Sequence, residues 1–304
     1  MKIAYFFIDD VIMSFHDIAR RKLKSIFDNP YFKLLKENHD NYGLTVQLNL
    51  FYCTDDESFN LTEFPDTYKS EFEENSDWLK LAFHATKEHP NYPYADVTYE
   101  TLKFEYERIV NEIKRFAGEK SLSNVVVPHW LPISKEGCRA LADCGVKFLS
   151  CSVNDNIVEF TNDDKEVPIT DEERERLSKD PEIKAYVRDI GCGLTTKSLC
   201  AYNHLDEETA AKLRGKNVSM HDPETGINFK LYSTGPCLNW HPLEKIKEAL
   251  AQFEHKDYAG VANHEQAFYP EFYAHQPDMS EKITTMARTL HDFGFKFITC
   301  EDFK

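Results

Sequence analysis

Short apolar runs alternate with amphipathic stretches along most of this chain. The runs IAYFFI (3–8), LTVQLNLFY (44–52), WLKLAFH (78–84), NVVVPH (124–129) and VKFLSC (146–151) read as strands. So do FKLYS (229–233), GVANH (260–264) and FKFITC (295–300). Between them the spacing changes to that of helices. Leu102, Tyr106, Ile109, Ile113 and Phe116 predict a helix over 97–116, closed by Gly118. A second starts near Ser134, turns Cys138, Leu141 and Ala142 inward, and has Gly145 past its end. A third follows His241-Pro242, with Pro at the first helical position and Leu243, Ile246, Leu250 and Phe253 on its apolar side. The last starts near Ser280, carries Ile283, Met286, Ala287 and Leu290, and stops at Gly294.

Strand–helix alternation implies parallel strands joined by right-handed crossovers. Roughly seven or eight such units predict an α/β fold, a distorted (β/α)7–8 barrel spanning 1–304 as a single domain. An open doubly wound sheet is the alternative, but no Gly-rich phosphate loop follows the first strand. The alternation breaks over about 153–228, a charged and turn-rich stretch that reads as an inserted cap. Within it Thr170 and Glu173 predict a capping box, and Asp206 an N-cap.

In a β/α barrel, chemistry sits where strands end. The first strand ends in Asp9-Asp10, and the third in His84 with His89 in the following loop. The fourth ends in His129-Trp130, and the strand 260–264 in Asn263-His264-Glu265. In the third strand Leu79, Leu81 and Phe83 share one side, which turns His84 to the barrel axis. His264 shares a side with Ala262, and Asp10 with Ala4, Phe6 and Ile8. Taken singly, two Asp at a strand end make a turn and a His in a loop makes a packing contact. Together they suit a divalent cation, zinc foremost, beside a carboxylate base and a His acid.

Composition narrows the partners. The chain has 304 residues, 41% hydrophobic and 13% aromatic, which supports a sizeable core. A net charge of −16 disfavours nucleic acid and anionic membranes. No apolar run is long enough to span a bilayer, and no leader pattern precedes the first strand. Eight Cys without a Cys-x-x-Cys pair predict reduced thiols and a cytoplasmic protein.

At these residues the sequence resembles the polysaccharide deacetylases, carbohydrate esterase family 4, of the glycoside hydrolase/deacetylase barrel superfamily. The FFIDD stretch is similar to the family's Asp pair, which implies a general base at Asp9 and a metal ligand at Asp10. FHATKEH resembles the family's His pair and implies metal ligands at His84 and His89. His264 in VANHEQ resembles the family's late-strand acid. The family's Arg-bearing motif has no counterpart in VVVPHW, which retains Pro128. The resemblance implies hydrolysis of an N-acetyl amide with a zinc or similar ion. The cytoplasmic reading shifts the expected substrate to a small soluble carbohydrate or oligosaccharide. His129, Trp130, Glu265 and Tyr269 are the expected substrate contacts. Two rivals stand: a glycosidase using Asp9 and Glu265 set roughly 5–10 Å apart, and a non-catalytic carbohydrate-binding protein.

Overall fold

The computed structural model describes residues 1–153, 202–232 and 235–303. Its centre is β1 (Lys2–Val11), a ten-residue strand buried along nearly all its length. Beside it run β2 (Val46–Phe51) and β3 (Leu79–Ala85). β4 (Val125–Val126) and β5 (Phe148–Ser150) follow. Next are β6 (Ser152–Val153), β7 (His204–Leu205), β8 (Met220–His221) and β9 (Asn228–Lys230). β10 (Tyr258–His264) and β11 (Phe295–Phe297) complete the set.

One sheet has the parallel order β10-β1-β2-β3, with β11 pairing the first residues of β1. A second has the order β4-β5-β9-β8, antiparallel only at β8. Single parallel bridges join the two, Leu81–Leu122 at one seam and Cys237–Ala262 at the other. The architecture is thus mixed α/β with parallel strands, as the alternation predicts. The closed barrel is not formed, because the ladders stop at both seams. β4 is shorter than its apolar run: Pro128 lacks an amide donor, and Trp130 and Leu131 both take left-handed backbone.

The helices obey the caps in the sequence. In α1 (Met13–Arg21) Phe15 and Ile18 face inward. α2 (Pro30–Tyr42) starts with Asn29 accepting from the amides of Tyr31 and Phe32 and ends at left-handed Gly43. α3 (Lys69–Glu74) is short. α4 (Tyr99–Ala117) is capped by Thr98, and α5 (Lys135–Asp143) by Ser134. α6 (Glu207–Leu213) is capped by Asp206, as predicted. α7 (Leu243–Ala251) has Pro242 at its N-cap, one position earlier than expected, and α8 is Met279–Asp292. The Thr170–Glu173 box lies outside the described residues. Part of the expected cap belongs to the core fold, since β8 extends the second sheet.

Two apolar clusters follow from strand alternation. Ala4, Phe6 and Ile8 of β1 join the large outer cluster beneath the helices. Ile3, Tyr5 and Phe7 point the other way, into an inner cluster with Val125, Val127, Tyr258, Ala262 and Phe303. The inner space also holds Lys230, wholly buried, whose Nζ donates to Asn217 Oδ1 at 2.8 Å and to the Val218 carbonyl at 3.2 Å. Burial lowers this amine to about 7. The folded chain then binds fewer protons than the unfolded chain between about pH 7 and 10.5, so stability rises with pH across that window. Urea midpoints at pH 7 and 9.5 should differ by on the order of 2 kcal/mol in the native protein. The Lys230→Met variant should lose most of that difference.

Candidate functional site

Asp9 and Asp10 end β1, and simple alternation would send their side chains to opposite faces. Asp10 would then lie outward with Phe6 and Ile8. The structure breaks this rule. The ladder between β1 and β2 shifts register between Ile8 and Val11, and Asp10 has a left-handed φ of 61°. A bulge of this kind re-aims a side chain. Both carboxylates consequently line one cavity of about 200 Å³. Left-handed backbone costs a non-glycine residue on the order of 1–3 kcal/mol, and Asp bears it better than most. Trp130 and Leu131, with φ of 63° and 72°, line the same cavity. Strain is therefore concentrated where the polar groups converge.

His84 arrives from β3 on the inward side, as its parity predicts. Its Nε2 lies 3.1 Å from Asp10 Oδ1. His129 arrives from the turn after β4, with Nδ1 at 3.2 Å from Asp10 Oδ1 and 3.1 Å from His84 Nε2. The other nitrogen of each ring is already committed. His84 Nδ1 lies 2.6 Å from the Val127 carbonyl, and His129 Nε2 lies 3.0 Å from the Glu88 carbonyl. A carbonyl only accepts, so those two nitrogens carry hydrogens. The remaining ring nitrogens of the neutral imidazoles are then acceptors, facing each other and a carboxylate oxygen. Three lone pairs this close repel unless a proton or a cation lies among them. Such pinning of the second ring nitrogen is what orients a metal-binding histidine. Asp10, His84 and His129 are all buried and fit a divalent cation by donor chemistry.

Asp9 sits beside this group. Its Oδ1 accepts from Asn49 Nδ2 at 2.6 Å and lies 3.9 Å from His84 Nδ1. Asn49 is itself held in one orientation. Tyr5 and Ser123 hydroxyls donate to Gln47 Oε1 at 2.7 and 2.5 Å, so the Gln47 amide donates to Asn49 Oδ1 at 2.7 Å. That leaves the Asn49 N–H for Asp9. Burial pushes the Asp9 carboxyl up, against the opposing pull of His84 and His264. For Asp10 burial acts the same way, but with protons rather than a cation on the facing His129 and His84 nitrogens, their hydrogen bonds outweigh it and hold the carboxyl well below its ordinary range.

His264 ends β10 opposite Asp9. Its Nε2 lies 3.9 Å from Asp10 Oδ2, while Nδ1 meets Asn239 Oδ1 at 3.0 Å and Cys237 Sγ at 3.4 Å. Burial alone would lower this imidazole; the Cys237 thiol and the two carboxylates overcome it and raise His264 well above its ordinary value. Trp240 stacks on it with ring centroids 5.9 Å apart.

Three expected residues lie elsewhere. His89 is exposed, and its Nδ1 meets Asp55 Oδ1 at 3.1 Å rather than the Asp10 group. It is not in the cavity wall, and His129 stands in the place expected for it. Glu265 is wholly buried, and its carboxylate accepts from the amides of Ile12, Met13 and Ser14 at 2.8, 2.7 and 3.1 Å. It caps the N-terminus of α1, where helix amides lack partners, and makes no part of the cavity wall. Tyr269 is also absent from that wall; its hydroxyl lies 3.3 Å from Asn29 Nδ2. His129 and Trp130, expected as substrate contacts, do line the cavity. Residues that pattern reading missed are Asn49, Asn239 and Glu88. The first two are neutral amides with no titratable signature. Glu88 is half-buried beside His129, with Gln266 Nε2 donating to its carboxylate at 2.6 Å. Burial raises that carboxyl.

No family model matches the chain, and no curated protein matches it. Solved structures do. The 4-α-glucanotransferase of Thermococcus litoralis aligns over 99% of this chain and 40% of its own, at 10% identity and a TM-score of 0.54. A T48 deacetylase with substrate aligns over 100% of this chain and 94% of its own, at 11% identity and a TM-score of 0.45. A family 4 carbohydrate esterase from Streptomyces lividans, in complex with acetate, aligns over 98% and 91%, at 11% identity and a TM-score of 0.42. The solved structures similar to this chain thus include family 4 carbohydrate esterases and deacetylases at low identity, and what it shares with the glucanotransferase is the fold.

Proposed function

We propose that this protein is a metal-dependent hydrolase that cleaves an acyl amide bond of a small carbohydrate-related substrate, on a single domain whose strands form a distorted, unclosed barrel. The observation that carries the proposal is the meeting of Asp10 Oδ1, His84 Nε2 and His129 Nδ1, each ring pinned from behind by a backbone carbonyl. Zinc is the favoured ion, since two imidazoles and one carboxylate leave it open positions. A cation held there would polarise a carbonyl and acidify water.

The chain's own residues divide the remaining work. Asp9, oriented by Asn49, takes a proton from the attacking water. His264, kept protonated by its neighbours, delivers one to the departing amine. The Asn239 oxygen at Nδ1 fixes the ring so that Nε2 faces the reaction. The glycosidase alternative loses its second carboxylate, because Glu265 is spent on capping α1.

Elemental analysis after gel filtration tests the ligand set. His129→Ala should weaken zinc binding by about 100-fold or more, in line with loss of a ligand rather than of its support. His89→Ala should leave it unchanged. Retained zinc in His129→Ala, or lost zinc in His89→Ala, would overturn the assignment. His264→Gln should keep its zinc and lose about 100-fold in kcat, the contribution expected of a positioned proton donor.

A further inference from the structure

The layer of the interior directly beneath the polar groups is apolar, and it is open to them. On each strand the residue two positions before a polar group points the same way. For Asp9 and His264 those residues are Phe7 and Ala262, and Val127, just past the end of β4, joins them. All three belong to the inner cluster, and all three line the cavity. Cys151, Cys237 and Ser150 also line the cavity, each with a small side chain. The cavity's volume of about 200 Å³, floor, polar groups and mouth together, is several times the roughly 30 Å³ share of one water. It exceeds what the methyl group of an acetyl needs.

The polar groups decide which half of the substrate goes down. His264 is the proton donor to the departing amine, so the amine lies on its side. Trp240 stacks on His264 and is 39% exposed, and Tyr273 on the same wall is 73% exposed. That side is the mouth. The amine and the sugar attached to it therefore stay at the aromatic mouth, and the acyl group points to the floor.

We propose that the floor formed by Phe7, Val127, Ala262, Cys151 and Cys237 is a pocket for an acyl chain longer than acetyl, so that the preferred substrate is an amide of a medium-length aliphatic acid. This rests on the hydrolase reading for the direction of the substrate. It does not rest on it for the existence of the pocket. Each methylene that leaves water for such a floor is worth roughly fourfold in affinity. Hexanoyl carries four more than acetyl. Ala262 sets the depth: it is the smallest of the strand residues in the layer, and a leucine there fills the space.

The test uses the full chain supplied with zinc. N-acetyl-, N-butyryl- and N-hexanoyl-glucosamine are compared for kcat/KM, and acetate and hexanoate are titrated by tryptophan fluorescence from Trp130 and Trp240. The expected result is at least about a tenfold preference for hexanoyl over acetyl, and the same order in the binding of the free acids. Ala262→Leu should remove the preference by lowering hexanoyl, with acetyl changed less than about twofold. Ala262→Val provides a smaller step should the leucine variant fail to fold. Equal binding of acetate and hexanoate, or an Ala262 variant that lowers both substrates alike, overturns the pocket. If no amide is cleaved yet hexanoate binds at least about tenfold more tightly than acetate, the hydrolase reading falls and the pocket stands.

Discussion

Asp10→Asn should abolish stoichiometric zinc binding and lower kcat/KM by about 10³-fold or more, equivalent to roughly 4 kcal/mol of lost transition-state stabilisation. The substitution is chosen for the backbone. Asp10 occupies a left-handed φ of 61°, a region Asn accepts as readily as Asp. Alanine would confound loss of charge with strain. The amide keeps the size of the side chain and removes the only anion among the three converging donors. His84 and His129 remain in place, because the Val127 and Glu88 carbonyls hold them from behind. Two neutral imidazoles bind zinc far more weakly than two imidazoles with a carboxylate. Metal content by elemental analysis, with far-ultraviolet circular dichroism as a control for folding, decides it. One equivalent of zinc in the Asn variant would remove Asp10 from the centre.

Glu265→Ala should destabilise the protein by about 3 kcal/mol, read as a shift of the urea midpoint. Its carboxylate accepts from three consecutive amides at the start of α1. No side chain of the preceding residue caps this helix, since Ile12 occupies that position. The cap comes instead from the far end of the chain, across the β1–β10 ladder. Truncation strands three buried donors at once. Gln keeps one acceptor oxygen and should restore about half the loss. A variant as stable as the native protein would show that water reaches those amides. The position of α1 also matters for the site, because α1 follows directly on the Asp pair.

The sequence makes eight of the eleven described strands, four of the helices and the inward direction of His84 and His264 legible. Each rests on periodicity, and both histidines line the cavity. What it conceals has three causes. The closed barrel fails because bridges at Leu81–Leu122 and Cys237–Ala262 replace ladders, and apolar runs do not reveal how many residues pair. α1 and α2 lie in stretches where the apolar positions are interrupted by charge, so their stripes are narrow. The site residues were displaced for a subtler reason. His89 follows His84 closely in sequence, yet the loop carries it to solvent beside Asp55. His129 comes from a different strand, and only the chain's path in space brings it to Asp10. Glu265 sits next to a site residue and does a structural task, which adjacency cannot distinguish.

The bulge at Asp9–Asp10 has a consequence for how the site tolerates motion. Were the proposed base and the proposed cation ligand on separate strands, their spacing would follow every fluctuation of the sheet. Here they are neighbours on one backbone, turned to the same side. Their separation is set by the local backbone and their own side-chain torsions rather than by pairing across a seam. Breathing of the seam between β3 and β4 would move His129 relative to Asp10 and so change how tightly an ion would be gripped. It would act far less on the spacing of the two carboxylates. Under the proposed roles, substitutions in the second sheet should tune metal affinity more than proton transfer.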